Sequence, residues 1–342
     1  MSELSDQRRA LHTGDAPAFS ALTEPYRREL QVYCYRILGS VQDAEDLVQE
    51  TLLRAWRKRD TYQGRASVRA WLYKIATHAC FDALDKRSRR MLPMTAGPAS
   101  DPQAPFSPPI AEPMWLEPLP DDLIDDSDAG PEARYSARES VRLAFLIALQ
   151  ALPPRQRAVL ILSDVLDWRA SEVADLLEVS VSAVNSALHR ARTTLTSRYQ
   201  ARSAGAVAAP PDDARLSALL GRYVHAWENA DVDGLAALLK EDVTLNMPPS
   251  PSWYQGRDAI RVFMANTIFG STLFPGNARG RWRLMLTRAN GQPAFAVYLR
   301  GEPGTYTAFG IQALDVDGER IAGIVNFGDP ALVTRFGLPP PG

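Results

Sequence analysis

The chain has 342 residues, with 38 Lys+Arg against 40 Asp+Glu, 26 prolines and 2 cysteines. At about 100 to 200 residues per domain it holds two or three domains, and two cysteines, Cys34 and Cys80, exclude a disulfide framework and a Cys-rich zinc site. No run approaches about 18 uncharged apolar residues and residues 1–9 are polar, so the expectation is a soluble, cytoplasmic protein with neither a membrane span nor a signal peptide.

Charge is distributed unevenly. Residues 1–90 and 134–202 each carry a net +4, residues 91–133 hold nine acids, no base and ten prolines, and residues 203–342 carry a net −1. Two basic modules thus flank an acidic tether, and a neutral module follows. Such separation is the footprint of nucleic-acid contact by the basic parts.

In chain order, Phe19, Leu22, Tyr26, Leu30, Tyr33 and Ile37 recur at three and four residues and predict one long helix that stops at Gly39. Ser40 and Asp43 start a second helix in the manner of a capping box, with Asp in place of Glu. That helix is expected to bury Ala44, Leu47, Val48, Thr51, Leu52, Ala55 and Trp56 and carries a polar stripe of Asp43, Glu45, Asp46, Gln49 and Glu50 opposite. A third runs from Val68 to about Arg90 and ends in Lys86, Arg87, Arg89 and Arg90. Together these make a first domain over residues 10–92. Residues 93–135 lack periodicity and predict an extended or disordered linker, interrupted by an apolar island at Trp115 and Leu116 that needs a partner surface.

Residues 136–202 return to helix, with segments at Val141–Leu152, Arg155–Val165, Ala170–Leu177 and Val181–Tyr199. A tight turn at Glu178, Val179 and Ser180 makes the last two a helix-turn-helix. A hinge over 203–212 leads to a module at 213–337, where helices near 214–229, 233–239 and 257–268 accompany strands at 242–247, 281–288, 294–300, 305–314 and 319–327. Helices first and antiparallel strands last predict an α+β domain.

Three segments carry a family resemblance. Asp43 to Thr51, followed by Arg54, Ala55 and Trp56, closely resembles the part of bacterial sigma-70 family factors that binds the clamp helices of the RNA polymerase β′ subunit. The resemblance assigns core-polymerase binding to Asp43, Glu45, Asp46, Gln49 and Glu50. Asp46 and Glu50 are like charges at i,i+4, an arrangement whose cost a basic partner would remove.

Trp71 to Asp82 resembles the promoter-melting and −10-reading part of the same family, in its short extracytoplasmic-function type. Holding unpaired bases calls for aromatic platforms and a basic groove. The implied −10 contacts are Trp71, Tyr73, Lys74, Thr77, His78, Asp82, Arg87, Arg89 and Arg90, with His78 standing where Asn is common. Residues 149–196 look like the family's −35-binding domain, which implies Ser180, Ser182, Asn185, Ser186, His189, Arg190 and Arg192 as contacts. Glu178 stands in the turn where Gly is usual, at a steric cost if it is left-handed, and Asn at a reading position suits adenine.

The last module resembles the SnoaL-like, nuclear-transport-factor-like family, a cone of curved sheet and helices around a pocket. Some members use a His/Asp acid-base pair there, and this chain offers His225, Asp231, Asp233 and Asp242. The whole order is similar to sigma factors with a fused SnoaL-like extension acting in cis. In those the Trp115-Leu116 motif implies docking, with Asp329 and Pro330 in the receiving tail. The fold expected is therefore multidomain: an all-α sigma region 2, a helix-turn-helix sigma region 4 and an α+β SnoaL-like cone.

These readings imply an alternative sigma factor that binds core RNA polymerase and promoter DNA at the −10 and −35 elements. No catalytic residue, metal or cofactor is expected, the free protein is expected to be a monomer, and a small ligand in the cone pocket is left open. The alternatives are a SnoaL-type enzyme or small-molecule sensor fused to a DNA-binding module, and a stand-alone helix-turn-helix repressor, against which the acidic stripe counts.

Overall fold

The computed structural model describes residues 11, 15–86, 89–111, 114–124, 131–200, 213–271, 273–274, 276–301 and 304–339. The chain divides into two compact units, one running to Arg90 and resuming over Asp122–Ala204, the other combining Met91–Asp121 with Gly205 onward. No described helix is long and apolar enough to cross a membrane.

The first unit is helical. Its opening segment is two helices, α1 (Ala16–Thr23) and α2 (Arg27–Leu38), separated by a 3-10 turn over Glu24–Tyr26. The expected single helix breaks at Pro25, which has no N–H to donate and crowds the preceding turn. Gly39 then ends α2 in the left-handed conformation, φ 74°. Helix α3 (Val41–Lys58) starts as expected, Ser40 Oγ accepting from the Asp43 amide at 3.0 Å, and α4 (Val68–Leu84) is capped by Ser67 in the same way. Leu30, Tyr33, Ile37, Ala44, Val48, Ala55, Leu72, Ala76 and Ala79 are buried where α2, α3 and α4 meet.

The same unit continues with α5 (Pro131–Glu139), α6 (Leu143–Gln150), α7 (Pro154–Leu160, prolonged by a π-turn over Ile161–Val165), α8 (Ala170–Leu177) and α9 (Val181–Gln200). Pro154 sits at the start of α7, where a missing N–H costs nothing.

The second unit contains α10 (Asp213–Glu228), α11 (Val232–Ala237), β1 (Leu239–Asn246), β2 (Trp253–Gln255), α12 (Arg257–Phe263), β3 (Trp282–Ala289), β4 (Gln292–Arg300), β5 (Tyr306–Asp317), β6 (Arg320–Phe327) and α13 (Pro330–Arg335). One six-stranded sheet has the order β2-β1-β6-β5-β4-β3. Its pairs are antiparallel apart from β1 with β6, which is parallel, so the sheet is mixed rather than the purely antiparallel one expected. Register shifts at Val297/Tyr298 and Asp315/Val316 are the irregularities that bend a sheet around its contents. Tyr223, Trp227, Phe263, Trp282 and Phe295 fill the concave side.

Residues 91–121 differ most from expectation. They are not a free tether but a strap built into the second unit. Met91 and Trp115 pair as an isolated parallel bridge, and the Met94 amide donates to Asn246 Oδ1 at 2.9 Å. The Ser100 amide donates to the Trp253 carbonyl at 2.8 Å, the Ile110 amide to the Pro249 carbonyl at 3.1 Å, and Phe106 packs on Phe263 with ring centroids 6.0 Å apart.

The strap ends on the β3–β4 turn, where Asn290 and Gly291 both have positive φ, 56° and 71°, as a two-residue hairpin requires. The Leu119 amide donates to Asn290 Oδ1 at 3.0 Å and the Asn290 amide to the Leu119 carbonyl at 2.9 Å. Asp121 accepts from the Gly291 amide at 2.7 Å and from Arg288 Nε at 2.9 Å.

Asn290→Ala should therefore lower the stability of this unit by about 2 to 4 kcal/mol, since it puts a Cβ without local hydrogen bonding at positive φ and leaves the buried Leu119 amide without its acceptor. Denaturant unfolding and limited proteolysis within 91–121 measure this; an unchanged midpoint and cleavage pattern would refute it.

Candidate polymerase-binding and DNA-binding faces

On α3, Glu45, Asp46 and Gln49 are exposed and Glu50 is half-buried. Asp46 accepts from Gln42 Nε2 at 3.2 Å, and Glu50 pairs with Arg54 at 2.8 Å, which relieves the like-charge pair within the helix itself. Arg54 also donates to Asp82 on α4 at 3.0 Å, and its hydrogen bonds to Glu50 and then to Asp82 raise its pKa. Asp43 departs from the expected stripe. Its carboxylate pairs with Arg90 at 2.8 Å, the two side chains only 14% and 12% exposed. One expected polymerase contact and one expected −10 contact thus hold each other. Leu53, 51% exposed one turn beyond Gln49, is an apolar member of this face that the sequence reading passed over.

On α4, His78 and Asp82 are exposed, Trp71 and Lys74 are half-buried, and Arg89 beyond the helix is exposed. Tyr73 and Thr77 are fully buried, contrary to expectation. The Thr77 hydroxyl shares a 2.6 Å hydrogen bond with Tyr33 and donates to the Tyr73 carbonyl at 2.7 Å, while the Tyr73 ring lies 4.8 Å from Tyr33 and 5.1 Å from Trp168. Burial raises the pKa of both tyrosines. Trp71 leans on Tyr62 with centroids 5.3 Å apart. Arg87 lies outside the described residues.

In the helix-turn-helix, Glu178 takes the left-handed conformation at φ 57°. Ser180 caps α9, its Oγ accepting from the Ala183 amide at 3.1 Å, so its role is structural rather than free for a base. Val184 and Ala191 are buried on one side of α9, and Ser182, Asn185, Ser186, His189 and Arg190 are exposed on the others. Positions 182, 185, 186 and 189 share one face at helical spacing. Arg192 is engaged in a partly exposed pair with Asp164 at 2.6 Å, a partner 28 residues away that no local pattern signals.

In the second unit Trp115 and Leu116 are 8% and 1% exposed. Glu117 beside them pairs with Arg335 of α13 at 3.6 Å. Asp329 caps α13, accepting from the Ala331 amide at 2.9 Å, and Pro330 is the first helical residue, so both shape the tail helix through its backbone. A small cavity of about 10 Å³ inside the cone is lined by Trp227, Phe263, Trp282, Phe309 and other apolar side chains, with the amides of Gln312 and Asn326. Gln312 Oε1 accepts from the Tyr223 hydroxyl at 2.6 Å. No carboxylate or imidazole is in the lining. His225 and Asp242 are exposed, Asp231 caps α11 and Asp233 pairs with Arg261 at 2.7 Å.

A helical module with a polar stripe, a helix-turn-helix with an exposed reading face and a curved-sheet domain define a multidomain promoter-recognition factor. Three family models match it in that order: Sigma-70 region 2 over residues 22–90, Sigma-70 region 4 over 142–195 and a SnoaL-like domain over 220–324. The chain is 45% identical over 338 residues, 98% of its length and 86% of the relative's, to ECF RNA polymerase sigma factor SigG of Mycobacterium tuberculosis. It is 28% identical to SigJ of the same organism, covering 91% of this chain and 92% of that one. The crystal structure of Mycobacterium tuberculosis SigJ superposes with a TM-score of 0.58 at 25% identity, over 95% of this chain and 99% of that one. The chain belongs to the extracytoplasmic-function RNA polymerase sigma factors, and it is an alternative sigma factor.

The Asp43–Arg90 pair separates structural from functional acids on α3. Asp43→Asn should cost about 1 to 3 kcal/mol by removing the counter-charge of a mostly buried guanidinium, whereas Asp46→Asn should stay within about 0.5 kcal/mol. Equal denaturation midpoints for the two variants would overturn the distinction.

Proposed function

We propose that Glu45, Asp46, Gln49 and Glu50 on α3, with Leu53 as apolar anchor, form the face that binds the clamp helices of core RNA polymerase. In this reading Lys74, His78, Asp82 and Arg89 contact the −10 region and Ser182, Asn185, Ser186, His189 and Arg190 read the −35 element. The observation that carries it is the pair of exposed faces: an acidic one on α3 whose members make few structural bonds, and a small polar one at the N-terminal half of α9, where a recognition helix meets base edges. The protein acts in the cytoplasm, is a monomer when free and catalyses no reaction. The cavity supports that last point, since no group in its lining can move a proton.

The SnoaL-like domain regulates in cis by holding residues 91–121. Stapled residues cannot serve as tether, so the strap limits how far the −10-reading and −35-reading modules separate. Trp115 and Leu116 support this by their burial within the unit that contains that domain.

Asp46→Arg with Glu50→Arg should weaken co-purification with core polymerase at least tenfold while leaving the fold intact; undiminished binding would sink the assignment of α3. Asn185→Ala should relax discrimination at one −35 base by about 1 to 3 kcal/mol, and equal loss on specific and scrambled −35 DNA would show that it reads no base. Trp115→Ala, and separately truncation near residue 205, should change run-off transcription without abolishing core binding. Two variants that transcribe like the full chain across several promoters would refute regulation in cis.

A further inference from the structure

Five large apolar side chains are exposed among the described residues: Leu53, Tyr135, Val181, Leu273 and Leu286. Leu53 lies on the proposed polymerase face, and Val181, 44% exposed, is the first residue of the reading helix α9. A β-branched residue loses side-chain freedom in a helix, and one left this exposed gains little burial in return. Val181 has no capping duty, since the Ser180 Oγ already accepts from the Ala183 amide at 3.1 Å. The side of α9 that packs inward is marked instead by Val184 and Ala191. Around Val181 the surface is neutral. Ser182, Ala183, Asn185 and Ser186 are exposed with it, and no Lys, Arg, Asp or Glu occurs between Val181 and His189. The N-terminal half of the reading face thus has no cation to take the O6 and N7 of a guanine, and it offers an amide and an apolar knob in its place.

We infer that Val181 is a specificity-determining residue that reads the 5-methyl group of a thymine in the −35 element, close to the adenine that suits Asn185. The inference rests on the reading of α9 given under Proposed function and adds to it the class of base pair that is read. In a helix each Cα–Cβ bond tilts toward the N-terminus, so a side chain at the first position projects past the end that enters the major groove. Residues 181 and 185 are four apart and lie one above the other, about 6 Å along the axis at ~1.5 Å per residue. Base pairs stack at ~3.4 Å, so the two side chains address pairs one or two steps apart. Of the groups that base pairs present in the major groove, the thymine methyl is the apolar one. A valine side chain neither donates nor accepts a hydrogen bond. Against guanine, adenine or cytosine it displaces water from a polar edge and puts nothing in its place, which costs free energy, whereas against thymine it buries a methyl. The pairs under the first turn and a half of α9 are therefore A·T or T·A.

The test uses the full-length chain bound to core polymerase, on a promoter duplex that this complex selects from a library randomised over the −35 positions. Each −35 thymine, on either strand, is replaced in turn by deoxyuridine, which removes the 5-methyl and keeps every hydrogen-bonding group. Affinity is measured at one fixed salt concentration. One replacement should weaken binding of the unmodified chain about fourfold, the worth of one methyl withdrawn from an apolar contact. Val181→Ser should weaken binding to the thymine duplex by a similar factor and should bind the thymine and deoxyuridine duplexes equally. Val181→Thr, which keeps one γ-methyl, should fall between the two. A selected element without an A·T pair, or the absence of any deoxyuridine effect on the unmodified chain, would overturn the inference while leaving the −35 assignment of α9 in place. A methyl effect that persists in Val181→Ser would overturn it too, and would assign the methyl to duplex shape. If scrambling the −35 element costs the unmodified chain nothing, the proposed reading of α9 itself fails, and the inference with it.

Discussion

The last carbonyls of α2 have no partner within their own helix, and they are buried, so donors must come from elsewhere in the chain. They come from more than a hundred residues away. Arg157, 2% exposed, donates through Nη1 to the Ile37 carbonyl and, at 2.7 Å, to Gln150 Oε1, and through Nη2 to the carbonyls of Gln150 and Leu152 at 3.1 and 3.0 Å. Gln150 Nε2 turns back toward the Arg36 and Ile37 carbonyls at 3.4 and 3.3 Å. Burial pushes the Arg157 pKa down to about 10, which leaves the group charged at neutral pH. Desolvating a guanidinium costs several kcal/mol, which the four acceptors at Nη1 and Nη2 offset while the buried Nε finds none. This one side chain therefore makes region 4 a condition for finishing α2, and α2 is the helix on which α3 and α4 pack. The helices that carry the proposed polymerase and −10 faces share one compact unit with the helix-turn-helix, and Arg157 is one of the side chains that join them.

The same accounting of polar backbone explains the strap. A segment with ten prolines and nine acids in its neighbourhood cannot bury a core of its own. It is ordered because the second unit supplies side-chain and backbone partners one at a time: Asn246 for Met94, Pro249 for Ile110, Asn290 for Leu119, Arg288 for Asp121. Its prolines suit the task, since a residue without an N–H leaves fewer donors to satisfy along an extended path.

Periodicity made most of the helices legible. The apolar sides of α3, α4 and α9, the Ser40 cap, the position of the turn at Glu178 and five of the six strands could be read from spacing, because each is a local pattern. What escaped has a common cause. Pro25 breaks a period whose apolar letters continue across it, so α1 and α2 read as one. The order of 91–121, the Asp43–Arg90 pair and the burial of Tyr73 and Thr77 all depend on partners distant in sequence, and hydrophobicity does not record them. The Asn290-Gly291 hairpin signal was present in the letters. That it would also receive Leu119 and Asp121 was not, since nothing in a turn motif says which strand-end will find it.

Connectivity ties the second of these polar networks to the proposed regulation in cis. The chain leaves the helical unit at Arg90, runs 31 residues through the second unit, and returns at Asp122. If residues 91–121 counted as tether, the 46 residues 85–130 would join α4 to α5; with them held, the stretch from Asp122 to the start of α5 at Pro131 spans at most about 30 Å at ~3.3 to 3.6 Å per residue. A length fixed by covalent bonds needs no strong interface to act as a limit. Each bond along the strap only has to survive the pull of opening, and because the bonds lie in series along one segment, release at the Asn290 end lengthens the reach before the Trp115 end has to move. The proposed regulation in cis then requires no change in either proposed DNA-reading face. It requires only that the affinity of one fold for 31 residues of its own chain be adjustable.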